Sequence, residues 1–225
     1  SDVARKIAHE IKNPLTPIKL SIDRLKNKTN KGIDITESEV VETMDTINRQ
    51  VDDIKNLVDE FSNFARMPAP NMQKYNIKNI IDNAISLFEL ESSNVVINLD
   101  KRSLDYSVKC DESQINRVFN NLIINSINSI NSKYKNEPGG SIFIEGSMND
   151  KYIKIKILDN GQGLAHKEED LLKPYFSTKE KNIGTGLGLS IVEKIISEHG
   201  GNFHIYNLED KSGACSEFTL RLFND

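Results

Sequence analysis

Within AHEIKNPLTPIKL (Ala8 to Leu20), a histidine, a glutamate and an asparagine fall inside five consecutive positions. A neutral imidazole is a competent nucleophile toward a phosphoryl group when a carboxylate orients it and takes up its proton. Glu10 stands next to His9, and Asn13 lies four residues on, on the same helical face. Its carboxamide can hold a water or a phosphoryl oxygen near the imidazole. Pro14 and Pro17 then interrupt what is otherwise a helical pattern. Each lacks an N–H, so the carbonyls of Glu10 and Asn13 lose their intrahelical partners and the helix is weakened beside the reactive residue. A lone surface histidine is ordinarily only surface, so the question becomes whether the chain also carries a phosphoryl donor site.

Two glycine-punctuated loops answer to that description. Asp159-Asn-Gly161-Gln-Gly163 closes a strand pattern, and Gly184-Thr185-Gly186-Leu187-Gly188 opens a helical one. An aspartate leaving a strand end can accept a hydrogen bond from an exocyclic amine such as that of adenine. The glycines let backbone pass close to a base and phosphates, and the helix N-terminus after Gly186 offers free N–H groups to anions. About 20 residues separate the two loops, longer than an ordinary connection and typical of a lid. That span holds Tyr175-Phe176-Ser177-Thr178-Lys179, in which Phe176 can anchor the lid and Lys179 can pair with a terminal phosphate. Upstream, Asn121 and Asn125 sit one helical turn apart and present two carboxamide oxygens on one face. Asn125 can ligate Mg²⁺, a hard ion that takes oxygen donors and keeps several waters. Each piece alone has a plain structural reading, since glycine loops are usually turns and helical asparagines are usually solvated. Familiar alternatives do not fit: GxxxxGK[ST] is absent, and no GxGxxG follows the first strand of a βαβ unit.

The elements that must hold these groups divide at RMPAP (Arg66 to Pro70), where the prolines break a helix. Before it, Ile11, Leu15, Ile18, Ile22 and Leu25 alternate spacings of four and three. Thr36 and Glu39 form a capping box for a second helix, whose Val40, Met44, Ile47, Val51, Ile54, Val58 and Phe61 repeat the pattern. Two such helices cannot bury both seams alone, which predicts a four-helix bundle made by two chains, a homodimer. His9 lies about 200° around the helix from Ile11 and is expected to face solvent. After the break the texture is α/β: a helix over 76–91, strands VVINL and YSVKC, a long helix over 112–132, and paired strands GSIFIEGSM and YIKIKILD about Asn149-Asp150. A helix over 187–199 and two strands, NFHIYNL and SEFTLRL, complete an α/β sandwich with a mixed sheet and helices over one face.

A net charge of -4 excludes any whole-surface attraction to nucleic acid or anionic lipid, so no nucleic-acid partner is expected. Cys110 and Cys215 lack metal-ligand spacing and read as buried thiols in a reducing compartment. No apolar run approaches the roughly 20 residues of a membrane span. The start, SDVARKIAHE, reads as mid-helix, so any membrane contact is expected through segments upstream. His199, before Gly200-Gly201, reads as a helix-end cap, favoured there as a cation. His166 and His204 have no partners at ligand spacing, so no zinc site is expected.

In order along the chain, HEIKNPLTPIKL, NNLIINS, DNGQGL, YFSTK and GTGLGLS resemble the phospho-acceptor, N, first glycine, lid phenylalanine and second glycine boxes of sensor histidine kinases. The resemblance spans essentially the whole chain, and AHEIKNPLTPIKLS with YFSTK is most similar to the NtrY-type nitrogen-regulation sensors. It implies residues 1–66 as a dimerisation and histidine phosphotransfer hairpin, 67–73 as a linker and 74–225 as an ATP-binding domain. It further implies that His9 is phosphorylated from ATP-Mg²⁺ with Glu10 as general base. Asn13 would position the water that dephosphorylates a response regulator, Asn125 would hold Mg²⁺ and Asp159 would read adenine. The phosphoryl group would pass to an aspartate in the receiver domain of a regulator, NtrX-like by resemblance. The location implied is cytoplasmic, with the parent protein anchored in the bacterial inner membrane. Ser126 departs from the alanine common after Asn125, a change expected to touch only local packing. Two other readings compete: an ATP-driven clamp of the gyrase-Hsp90 class, and a non-catalytic dimeric scaffold.

Overall fold

The computed structural model describes residues 2–65, 67–89, 94–135, 137–173, 186–209 and 212–223, with backbone alone for 2–7, 9, 10, 60, 63–65, 87 and 89. These fall into two compact units, the first ending at Met67 and the second beginning at Pro68.

The first unit is a hairpin of α1 (Asp2–Asn30) and α2 (Glu37–Ala65). α1 runs unbroken through Pro14 and Pro17. The expected capping box forms: the Glu39 N–H donates to Thr36 Oγ1 at 3.3 Å and the Thr36 N–H donates to Glu39 Oε2 at 3.3 Å. Lys28 Nζ, from the end of α1, also donates to Glu39, and this bond holds the Glu39 carboxyl below its ordinary pKa. The seams divide cleanly. Ile11, Ile18 and Leu25, with Val40, Ile47, Ile54 and Phe61, are half-buried at every seventh position, and Leu57 is buried. The residues between them stay open: Leu15, Ile22, Met44, Val51 and Val58 are 46–58% exposed. A single hairpin therefore covers one heptad position and leaves the alternate one as an apolar stripe.

The second unit is built on β1 (Gln73–Asn76), α3 (Ile77–Glu89), β2 (Val95–Leu99), β3 (Ser107–Cys110), α4 (Glu112–Tyr134), β4 (Gly140–Met148), β5 (Tyr152–Asp159), α5 (Glu168–Leu171), α6 (Gly188–Glu198), β6 (Phe203–Asn207) and β7 (Ala214–Arg221). Five strands form a mixed sheet in the order β2-β4-β5-β7-β6, with β2 parallel to β4 and the other neighbours antiparallel. β5 alternates half-buried and buried residues along its whole length, as a strand covered on one face must. Its Ile153, Ile155 and Ile157 are buried on the face that α4 covers, and Phe119 of α4 meets Phe218 of β7 edge-on at 5.5 Å between ring centroids.

β1 and the four-residue α5 carry no pattern that predicts them. β1 exists through its antiparallel pairing with β3. It begins inside the span expected to be a linker, and the residues before it are bonded into the unit as well. The Asn71 N–H donates to Asp111 Oδ2 at 2.9 Å, and Gln114 Nε2 donates to the Pro68 carbonyl at 3.0 Å. No helix among the described residues is long and apolar enough to cross a membrane.

Candidate active site

α4 supplies the first wall of the site. Asp111 caps its N-terminus, accepting from the Gln114 N–H, and Lys135 ends it in the left-handed region. Asn121 donates from Nδ2 to the Arg117 carbonyl at 2.9 Å, so its Oδ1 is turned outward. A Cβ placed on Gly188 would lie 3.0 Å from that oxygen and 3.9 Å from Asn125 Nδ2. The first residue of α6 thus lies against the two asparagines, and a side chain there would press on the Asn121 carboxamide. Leu187 precedes it, fully buried, with its carbonyl accepting from the Ser190 hydroxyl at 2.9 Å. Gly186 enters this turn in the left-handed region. The free N–H groups of the α6 N-terminus therefore open beside the carboxamides.

Asp159 ends β5 and is 7% exposed. Its Oδ1 accepts from the Gly161 N–H at 2.9 Å and the Ala214 N–H at 3.4 Å, and its Oδ2 accepts from the Ser126 hydroxyl at 3.3 Å. Burial pushes its pKa up, and these three donors and the charge of Lys133 only partly oppose that rise. Gly161 sits so close to α4 that a Cβ there would come within 2.3 Å of Ser129 Oγ and 2.7 Å of the Ser129 carbonyl carbon. The loop beyond Gly163 is fixed by Asn207, which accepts from the Leu164 N–H at 2.7 Å and donates to the Leu164 carbonyl at 3.0 Å.

The structure thus brings Asn121, Asn125, Leu187 and Gly188 together, and sets Asp159 and Gly161 against the same helix, α4. His9 and Glu10 lie on α1, their side chains outside the described residues, and Asn13 is exposed on the same helix. Phe176, Thr178, Lys179, Gly184 and Thr185 lie outside the described residues. Among the described residues no cluster of three His, Cys, Asp or Glu could hold a metal alone. Carboxamide oxygens on one helical face suit Mg²⁺ that is shared with phosphate oxygens rather than caged by protein.

Two expectations need correction. Ser126 does more than fill space, because its hydroxyl is bonded to Asp159. His199 does close α6, with Nδ1 2.8 Å from the Ile195 carbonyl, but its Nε2 accepts from the Asp111 N–H at 3.0 Å. An accepting Nε2 places the ring proton on Nδ1, so the cap is a neutral imidazole and not a cation. Ala214 and Asn207 also escaped the sequence reading. Ala214 acts through its backbone, and Asn207 stands 43 residues from the loop it pins, so neither leaves a local signal.

The family described as Histidine kinase-, DNA gyrase B-, and HSP90-like ATPase matches residues 110–224, and the His Kinase A (phospho-acceptor) domain matches residues 1–70. Nitrogen regulation protein NtrY of Azorhizobium caulinodans is 38% identical over 223 residues, 98% of this chain and 28% of its own length. A putative sensor histidine kinase, NtrY-like, of Rickettsia typhi is 38% identical over 215 residues, 94% of this chain and 34% of its own. The chain therefore spans about a third of the length of these curated relatives. In fold it is similar to histidine kinase ThkA, solved in complex with response regulator protein TrrA, with a TM-score of 0.76 at 24% identity over 99% of this chain and 62% of that one. With a phospho-acceptor hairpin leading into an ATPase domain of this class, the chain belongs to the sensor histidine kinases, as their catalytic core.

Proposed function

We propose that this chain transfers the γ-phosphoryl group of ATP to His9 and from there to an aspartate of a response regulator. The observation that carries the reading is the approach of Asn121 and Asn125, on α4, to Gly188 at the N-terminus of α6, with Asp159 buried and bonded to Ser126 of α4. In this reading residues 1–66 form the dimerisation and phosphotransfer hairpin, 67–73 the connection and 74–225 the ATP-binding domain. Asp159 accepts from the 6-amino group of adenine. The α6 N–H groups, with Thr178, Lys179, Gly184 and Thr185, hold the phosphates. Asn125 holds Mg²⁺, which neutralises charge on the phosphates when bound. The His9 imidazole attacks the γ-phosphorus as the bond to the bridging oxygen breaks, ADP leaves, and Glu10 takes the imidazole proton. Asn13 orients the water that hydrolyses the regulator's phosphoaspartate.

The exposed stripe of Leu15, Ile22, Met44, Val51 and Val58 supports a homodimer, since a second hairpin would bury it as a four-helix bundle. The similarity to NtrY supports an NtrX-like receiver domain as the partner, with the kinase core on the cytoplasmic side of the bacterial inner membrane that anchors its parent protein.

The test is incubation with labelled ATP and Mg²⁺. The wild-type chain should acquire acid-labile, alkali-stable phosphate, and His9→Gln should acquire none while binding ATP nearly as well. ATP hydrolysis with no phosphohistidine would instead indicate a clamp ATPase, and neither activity would indicate a scaffold.

A further inference from the structure

We infer that Ser126 is a positioning residue for base recognition, holding the Asp159 carboxylate in the orientation that meets the amino group of a purine. The inference rests on the assignment of Asp159 to the base. Helical hydroxyls in this chain normally satisfy themselves locally. Thr16, Thr29, Thr46 and Ser132 each donate to the carbonyl four residues back. Ser126, buried on α4 at 4% exposure, does not; it donates across to Asp159 Oδ2, 33 residues away in sequence.

That bond supplies what the backbone donors do not. The N–H groups of Gly161 and Ala214 both reach Oδ1, so they fix one oxygen. The terminal torsion of an aspartate is broad and roughly two-fold, so a carboxylate tethered at one oxygen keeps freedom about its final bond. Ser126 ties the second oxygen and sets the plane of the group. An ionised carboxylate has about four acceptor sites, and three are filled by these donors. The fourth is left for a ligand N–H in a direction the other three determine. The same hydroxyl lies one residue after Asn125, so the metal-side carboxamide and the base-side anchor move together on one rigid helix.

The test compares ATP with purine riboside triphosphate, which carries hydrogen in place of the 6-amino group, by calorimetric titration of the whole 225-residue chain. Wild type should prefer ATP by about tenfold or more, the range of one hydrogen bond to a charged group. Ser126→Ala should shrink that preference at least about threefold, by weakening ATP binding while leaving the analogue nearly unchanged, and Ser126→Thr, which keeps the hydroxyl, should restore it. Because alanine leaves Asp159 Oδ2 without its partner, the exchange is repeated in an Asp159→Asn background, where no charge is stranded. There it should have no further effect on the preference, since coupled groups are not additive. An unchanged preference in Ser126→Ala, or equal weakening of both nucleotides, overturns the inference and leaves Asp159 in place. A wild-type preference near unity removes the Asp159 assignment itself, and the inference with it.

Discussion

Replacing Val51 with aspartate should convert the proposed homodimer to a monomer without unfolding the hairpin. Val51 lies in the middle of the open stripe on α2 and is 50% exposed, so in an isolated chain the new carboxylate sits in water. Fully burying a valine side chain contributes about 1.5–3 kcal/mol, and the half still open in the monomer leaves about 0.7–1.5 kcal/mol for a partner to gain. A two-fold dimer contains the site twice, so loss of that burial alone removes about 1.5–3 kcal/mol, or about one to two decades in the dissociation constant. Aspartate adds the desolvation of two carboxylates in the covered seam, which moves the expected weakening beyond about a hundredfold. Sedimentation velocity over a concentration series, with circular dichroism to confirm helix content, reads both quantities. Val96→Asp is the matched control, because Val96 is 61% exposed on β2 of the other unit and lies on no stripe. The reasoning is refuted if Val51→Asp dissociates no more readily than Val96→Asp.

Other consequences follow from the same geometry. Asn125→Ala should abolish the Mg²⁺ dependence of ATP binding together with kinase activity, whereas an unchanged Mg²⁺ titration would remove Asn125 from the metal site. Asn13→Ala should retain substantial autophosphorylation but lose about one and a half to three decades of phosphatase rate toward the matching regulator. If both activities fall by similar factors, Asn13 orients His9 rather than a water. Asp159→Asn should raise the melting temperature of the nucleotide-free chain at neutral pH. Burial holds the Asp159 pKa above its ordinary value of 3.8, so its stabilising contribution is complete below that value and is lost as pH rises through the folded-state pKa. The advantage of the neutral asparagine should therefore close as pH falls toward about 4, and a gap independent of pH would contradict the assigned cause.

What the sequence revealed follows from the range of the forces involved. β4 and β5 carry the bounds expected of them, Gly140–Met148 and Tyr152–Asp159, because a sheet with one covered face writes its register into alternate residues. Asn149 marks the turn between them, with Oδ1 accepting from the N–H groups of Lys151 and Tyr152. β1 was invisible because Gln73-Lys74-Tyr75-Asn76 has no periodicity, and its pairing with β3 joins residues more than thirty positions apart. The parallel pairing of β2 with β4 was equally hidden, since nothing within a strand encodes the direction of its neighbour. In the site, Asn121, Asn125 and Asp159 were legible as residue types whose chemistry demands a partner. Ser126 was legible only as a departure, and its bond to Asp159 emerged once β5 was laid across α4.

That dependence of the site on one helix has a physical basis. α4 is 23 residues long and is fixed at its start from several directions. Asp111 accepts from the N–H of Gln114 and the hydroxyl of Ser113, and its own N–H is held by the neutral His199 at the far end of α6. Burial raises the Asp111 pKa, but the N–H of Asn71 and these neighbours outweigh it and draw the net value below ordinary, so the cap stays ionised at neutral pH. The chain entering the domain is bonded to that same cap through Asn71 and to Gln114 through the Pro68 carbonyl. Two and a half turns on, the helix presents Asn121 and Asn125 to Gly188, and its buried face presents Ser126 to Asp159. Groups carried on one helix are held in more precise relative geometry than groups carried on a loop. The entering chain, Asn121, Asn125 and the Ser126 hydroxyl that anchors the Asp159 carboxylate therefore share one frame, and α6, tied to that frame at its C-terminus by His199, brings its N-terminal N–H groups into it.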